Sequence, residues 1–289
     1  MASLPEHQQP HFILIPLMAQ GHMIPMMDMA KLLAQRGVII TFITTSLNAT
    51  RLRMTVDWAV NSGLQIRLFE LHFPCIEAGL PDGCENLDMI PFTSDMAKKF
   101  FIAIEMLQQP VEKFLQEQEH PLPSCMISDV GVAWTNDTAR KFGIPRLVFH
   151  GTSCFSLLCS DNVSHYNSHE SVGSEFEPFL IRGLPHRIEI TRAQLPGAFA
   201  NTSNMQHIHD RVEEAELAAD GVMLNSFDEL EMEYVDRYRK ATRKRIWAVG
   251  PVSLCNKEIL DKHLPRFAIT VDRDRIGPRG LKPIVHLGN

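Results

Sequence analysis

The sequence lacks the features that mark several large classes of protein. Its 289 residues contain no CxxC pair among six scattered cysteines, and no apolar run of the roughly 18 residues that a bilayer span needs. The N-terminus has no basic segment followed by an apolar one. We therefore expect reduced thiols, no membrane span, no secretory signal and a cytoplasmic location.

An excess of charge of one sign is also missing. The chain has 28 basic and 34 acidic residues, a formal net charge of -6, which offers no basic surface to a phosphate backbone. We expect no nucleic-acid partner. The histidine pairs His165/His169 and His207/His209 have no third ligand at motif spacing, so the sequence predicts no metal site.

What the sequence does contain is a regular alternation of strand and helix patterns. Residues 12–17 form a short apolar run, and after a polar loop the chain has apolar residues at helical spacing. Six further strand patterns follow, the last at residues 245–250. Because parallel neighbours need crossover connections, this order predicts a doubly wound, Rossmann-like α/β fold with a parallel sheet of about seven strands.

Three segments depart from this simple pattern. A long helical pattern covers residues 93–118, and Pro110 should break or kink it. Residues 73–91 contain proline and glycine and are expected to form a loop, and we expect residues 170–199 to be a loop-rich excursion.

In a doubly wound sheet the ligand lies outside the carboxyl ends of the strands. His22 follows the first predicted strand, and Asp129 ends the fourth. A neutral imidazole accepts a proton from a hydroxyl near neutral pH, and a carboxylate on its second nitrogen stabilises the imidazolium that forms. No serine stands on a GxSxG turn, so the pair favours deprotonation of an acceptor hydroxyl over acyl transfer. The alternative is that Asp129 caps the next helix and His22 is a solvated loop residue.

A dinucleotide-dependent oxidoreductase is a second alternative, because it shares the same alternation of strands and helices. Its pyrophosphate loop needs GxGxxG, so that the backbone can approach the phosphates. The loop after the first strand reads MAQGHMIP and has one glycine, Gly21. This disfavours a dinucleotide cofactor.

Four long segments resemble successive landmarks of the plant UDP-glycosyltransferases of small molecules. They read PLMAQGHMIPMMDMAKLLAQRG, MISDVGVAWTNDTARKFGIPRLVFHGTSCFSL, GVMLNSFDELEMEYV and IWAVGPVSLCNK, in family order within residues 10–262. They are most similar to the subgroup that glucosylates flavonoids, terpenoids and cytokinin-like hormones. The resemblance implies a GT-B fold, in which the N-terminal Rossmann-like domain binds the acceptor and the C-terminal one binds the UDP-sugar.

The resemblance also implies roles for individual residues. His22 matches the general base, and Asp129 matches its charge-stabilising partner. The implied reaction is an inverting transfer of a sugar, expected to be glucose, to a hydroxyl of a small metabolite. The co-substrate is a UDP-sugar, and no other cofactor and no metal are implied. The further residues expected at ligands are Thr152 for the donor sugar, in a register uncertain by one residue, and Gln20, Gly21, His22, Phe92 and His150 for the acceptor.

The family's donor-binding motif, with its His-Cys-Gly-Trp-Asn-Ser core, does not occur in the chain. From residue 263 onward the resemblance ends. We therefore expect residues 1–252 to form the acceptor-binding domain, residues 253–289 a linker and an atypical tail, and the C-terminal donor domain to be absent. Such a chain is expected to transfer little sugar by itself. A non-catalytic, acceptor-binding or regulatory truncated isoform is the alternative.

Overall fold

A seven-stranded parallel sheet forms the centre of the fold. The computed structural model describes residues 9–91, 93–117, 122–195 and 205–256. Its strands are β1 (His11–Ile15), β2 (Ile39–Thr45), β3 (Ile66–Leu71), β4 (Cys125–Asp129), β5 (Arg146–His150), β8 (Gly221–Leu224) and β9 (Ile246–Ala248), whereas β6 (Pro178–Leu180) and β7 (Glu189–Thr191) pair separately. The strand order is β3-β2-β1-β4-β5-β8-β9, and all neighbours are parallel. The predicted fold class is confirmed.

The two central strands, β1 and β4, show why the sheet is parallel. All five residues of β4 are buried, and Ile13, Leu14 and Ile15 of β1 are at most 1% exposed. Strands covered on both faces have continuous apolar sequences, which is the pattern that these segments show. From β1 the chain crosses to β2 and β3 on one side, and from β4 to β5 and β8 on the other. The β1/β4 boundary is therefore the topological switch point, where such sheets bind ligands.

Helices cover both faces of the sheet. Those in the described residues are α1 (Gln20–Ala34), α2 (Ser46–Asn61), α3 (Ser94–Met106), α4 (Gln108–Glu117), α5 (Thr135–Phe142), α6 (Cys154–Tyr166), α7 (Gln206–Ala218) and α8 (Asp228–Thr242). Right-handed crossovers place α1 and α2 on one face and the helices from α3 onward on the other. Contacts between α4 and α5, α5 and α7, and α6 and α8 join the second layer.

The predicted helix over residues 93–118 consists of two helices, α3 and α4. The break lies at Leu107, three residues before Pro110, which occupies the first turn of α4. A proline ring excludes the carbonyl of the residue four positions earlier, here Met106, where α3 ends. In the first turn of a helix the missing N–H of proline costs nothing. Pro110 therefore breaks the helix as predicted, but earlier along the chain.

The described part of the loop-rich excursion predicted over residues 170–199, residues 170–195, also has short strands. It contains an antiparallel hairpin of β6 (Pro178–Leu180) and β7 (Glu189–Thr191). Phe179 and Ile181 are buried there together with Val163 of α6. Strands of three residues are too short for an alternating pattern to be recognised.

The end of the described chain packs onto α1. Residues Val252–Cys255 form a 3-10 turn whose Val252 and Cys255 are buried. The predicted boundary after residue 252 stays a prediction, and residues 257–289 of the predicted tail lie outside the described residues. In the part of the chain that is described, no helix has the length and apolar character needed to cross a membrane.

Candidate active site

The structure brings His22 and Asp129 together at the topological switch point. His22 stands in the first turn of α1, and Asp129 is the last residue of β4. His22 Nδ1 lies 2.8 Å from Asp129 Oδ2. The carboxylate side chain is 1% exposed, whereas the imidazole is 40% exposed. The other carboxylate oxygen accepts the backbone N–H of Gly131 at 2.9 Å, so both oxygens of Asp129 are engaged.

The electrostatics of the site favour the imidazolium form of His22. Burial alone is the largest influence and lowers its pKa, but the hydrogen bond to Asp129, the charge of Asp129 and the charge of Asp88 together raise the pKa above its ordinary value of 6.5. An ionised carboxylate only accepts hydrogen bonds, so Nδ1 carries the proton in the neutral ring. Nε2 is then the nitrogen that can accept a proton from a ligand.

The loop after β5 approaches the same turn of α1. A side chain at Gly151 would meet Pro25 Cγ at 3.4 Å and the Gly21 carbonyl oxygen at 3.8 Å. This close approach places the exposed Thr152 at the rim of the site. Gly21 is itself exposed and fronts open space, and Gln20 is half-buried. Contacts of these residues with donor or acceptor stay predictions.

His150 occupies a different environment from the one that we expected for an acceptor contact. Its side chain is buried, and Nε2 lies 2.8 Å from Glu216 Oε1 of α7. Tyr238 of α8 donates its hydroxyl to the same carboxylate oxygen at 3.2 Å. The ring therefore belongs to an internal polar cluster, and its contact with an acceptor stays a prediction. Phe92, also predicted at the acceptor, lies outside the described residues.

A cleft of about 660 Å³ opens between α3 and α7. Gly131 forms part of its wall, where a side chain would press on Leu17 at 3.2 Å and on Asp129 Oδ1 at 3.4 Å. The apolar part of the lining consists of Phe101, Ile102, Met106, Ile208 and Val212. The volume lies in the range of small-molecule sites, about 300–1,000 Å³.

Polar groups stand among these apolar side chains. Arg211 of α7 pairs with Glu105 of α3 at 2.5 Å, which joins the two walls of the cleft, and Lys98 lies on the same surface. Such a lining suits a mostly apolar ligand with a few polar groups. This cleft could not be predicted from sequence patterns, because α3 and α7 are distant in the chain and their apolar faces look like ordinary core faces.

Among the described residues, no three His, Cys, Asp or Glu side chains are grouped so that they could hold a metal ion.

Comparisons with known proteins agree with this fold. Residues 9–254 match the family model described as "Glycosyltransferase, N-terminal domain". UDP-glycosyltransferase 73D1 of Arabidopsis thaliana is 52% identical over 252 residues, which are 87% of this chain and 49% of that protein. UDP-glycosyltransferase 73E1 of Stevia rebaudiana is 46% identical over 254 residues, 86% of this chain and 50% of that protein.

A solved structure shows the same architecture. The crystal structure of Glycyrrhiza uralensis UGT73P12 complexed with glycyrrhetinic acid 3-O-monoglucuronide aligns with a TM-score of 0.80 and 31% identity, over 90% of this chain and 52% of that one. The chain thus spans about half the length of the relatives that it matches. The family match over most of its residues shows that the chain belongs to the plant UDP-glycosyltransferases, of which it carries the N-terminal domain.

Proposed function

We propose that the protein, together with a donor-binding domain, transfers a sugar from a UDP-sugar to a hydroxyl group of a small plant metabolite, and that the present chain alone transfers little. Glucose is the expected sugar. The observation that carries this proposal is the 2.8 Å contact between His22 Nδ1 and the buried Asp129, with the ring 40% exposed at the switch point of the sheet. A histidine held in this way is oriented as a base towards a ligand.

The proposed reaction is an inverting displacement. His22 Nε2 removes the proton from the acceptor hydroxyl while that oxygen forms a bond to the anomeric carbon, and the bond from this carbon to the diphosphate breaks. UDP leaves from the opposite face with the bonding electrons. Asp129 stabilises the positive charge that His22 gains. The resemblance assigns the nucleotide to a second domain, and Thr152 is proposed to contact the sugar.

We propose that the α3/α7 cleft holds the body of the acceptor. Its wall includes Gly131, whose backbone N–H donates to the Asp129 carboxylate, and this connects the cleft to the candidate base. Its size and apolar lining suit a flavonoid, terpenoid or hormone-like molecule. We also propose a cytoplasmic location, which agrees with the absence of disulfides among the six cysteines.

The first prediction tests the role of His22. Because the resemblance assigns UDP-sugar binding to a second domain, the chain is joined to the C-terminal half of UDP-glycosyltransferase 73D1, and this hybrid is the wild type of the activity tests. It is incubated with UDP-glucose and a panel of flavonols, triterpenoids and cytokinin-like compounds, and glucoside formation is measured by mass spectrometry. His22→Ala should reduce turnover by about 10²- to 10⁴-fold, the usual contribution of a general base. His165→Ala, at an exposed position on α6, is the matched control and should keep wild-type turnover. Equal turnover in the wild type and His22→Ala would contradict the proposal.

Acceptor binding without transfer is the second candidate function. It is favoured by the cleft itself, which is formed wholly by residues of this chain. Calorimetric titration of the acceptor panel distinguishes the two functions. Acceptor binding without any glucoside formation would support the second candidate and contradict the first.

A further inference from the structure

A second carboxylate, Asp88, stands at the N-terminus of the helix that carries His22. Its Oδ2 accepts the backbone N–H of Gln20, the first residue of α1, at 2.6 Å. The N-cap residue of α1, Ala19, provides no side-chain hydrogen bond, and the first turn contains no acidic residue. The loop therefore supplies the cap that the helix lacks in its own sequence.

Buried amides hold Asp88 in place. Asn86, fully buried, accepts the backbone N–H of Asp88 at 3.0 Å and donates to Asn48 Oδ1 at 3.0 Å. Asn48 is also fully buried and donates to Thr45 Oγ1 at 2.9 Å. In addition, the backbone N–H of Leu87 donates to the carbonyl of Met18 at 2.8 Å. Such a network gives a loop carboxylate one fixed position.

Two charged groups act on His22 in the described part of the chain. Asp129 approaches it from β4 and Asp88 from the loop, and both stabilise the imidazolium. The nearest charged residues of α1 itself, Asp28 and Lys31, are buried and bonded to Asn256. The Gly151–Ser153 loop carries no charge. Asp88 is thus the second anion of the site.

We propose that Asp88 is a positioning residue for the proposed reaction: it fixes the turn of α1 that carries His22, and its charge stabilises the imidazolium formed when the acceptor proton moves to Nε2. This inference rests on the proposed function. It adds no bond-making step, because the proton stays on His22 and Asp88 only shares in stabilising the resulting charge. Carboxylates at helix N-termini have the same favourable effect on helices in general.

Asp88→Asn separates charge from geometry, because the amide oxygen can still accept the Gln20 N–H. The pKa of His22 is measured by NMR titration of protein with isotopically labelled histidine, which needs neither donor nor turnover. We expect it to fall in Asp88→Asn. Asp95→Asn removes an exposed carboxylate from the first turn of α3, where it pairs with Lys99, and should leave the His22 titration unchanged.

Kinetics supply the second measurement. Asp88→Asn should lower kcat about two- to fivefold with little change in the acceptor KM, a range that corresponds to the usual effect of a charge at a helix terminus. The acid limb of its pH profile should move to lower pH. Asp88→Ala also loses the hydrogen bond to the Gln20 N–H, so it should lower kcat further than Asp88→Asn does. Asp88→Glu keeps the charge and should retain most of the wild-type activity. An unchanged His22 pKa in Asp88→Asn would overturn the role of Asp88.

Absence of turnover in the wild type would instead overturn the proposed function. The NMR titration would still decide whether Asp88 acts on His22, because it needs no turnover.

Discussion

At the scale of single residues, the site depends on how completely Asp129 is engaged. One oxygen faces His22 Nδ1 and the other accepts the Gly131 N–H, so the carboxylate cannot rotate without losing a bond. A buried carboxylate in this position fixes both the ring orientation and its tautomer. The exposed side of the imidazole is then free for a ligand.

Asp129→Asn tests this arrangement. The amide cannot supply the negative charge, and its N–H₂ group facing Nδ1 would stabilise the wrong tautomer. Turnover should fall by about 10²- to 10⁴-fold. The wild-type pKa of His22 is raised, and the base works only when neutral, so activity is lost as the pH falls through that pKa. Without Asp129 the pKa falls, and the acid limb of the kcat/KM profile should move to lower pH.

Asp57→Asn, at an exposed position on α2, is the control for this substitution. It should leave both the turnover and the pH profile unchanged. An acid limb at the same pH in Asp129→Asn and the wild type would show that Asp129 does not set the pKa of His22.

At the scale of elements, the first turn of α8 is joined to the start of α6, next to the loop that carries Thr152. Glu231 is buried, and its carboxylate accepts the backbone N–H groups of Cys154 at 2.8 Å and Phe155 at 2.9 Å. Ser226 also donates its hydroxyl to this carboxylate. Glu231 thereby caps the N-terminus of α6, directly after the loop that carries Thr152. The last residue of the DELE sequence in the third family segment, Glu231, therefore has the role of capping α6.

Glu231→Ala should therefore destabilise the fold. It leaves two backbone N–H groups at the start of α6 without their acceptor, and a buried unsatisfied group costs about 1–3 kcal/mol. Urea unfolding followed by circular dichroism measures the change in the free energy of unfolding. Glu229→Ala, at an exposed position on the same helix, is the control and should change it by less than about 0.5 kcal/mol. Equal losses in the two variants would contradict the capping role of Glu231.

The elements that the sequence predicted well are those whose patterns depend on local burial. Strands such as β2 and β4 are covered on both faces and show as apolar runs, so their type and order could be read directly. The β6–β7 hairpin could not be predicted, because strands of three residues are too short to show an alternation of apolar and polar residues. The exact position of the break between α3 and α4 was also missed, because Pro110 acts on the carbonyl of the residue four positions earlier.

At the scale of the whole molecule, the sequence could place His22 and Asp129 together because the topology decides where strand ends meet. The α3/α7 cleft and the role of Asp88 could not be predicted. Asp88 reaches α1 from a loop 68 residues away, and its position depends on the buried Asn48–Asn86 pair. The cleft requires the packing of α7 against α3, which only the folded structure provides.

The most direct test of the account is an experimental structure of the protein with a bound acceptor. The account predicts an acceptor hydroxyl within about 2.6–3.2 Å of His22 Nε2, the reach of a general base, with the body of the molecule between α3 and α7. An acceptor seated instead in the groove between α6 and the β6–β7 hairpin, with every hydroxyl out of reach of His22, would contradict it.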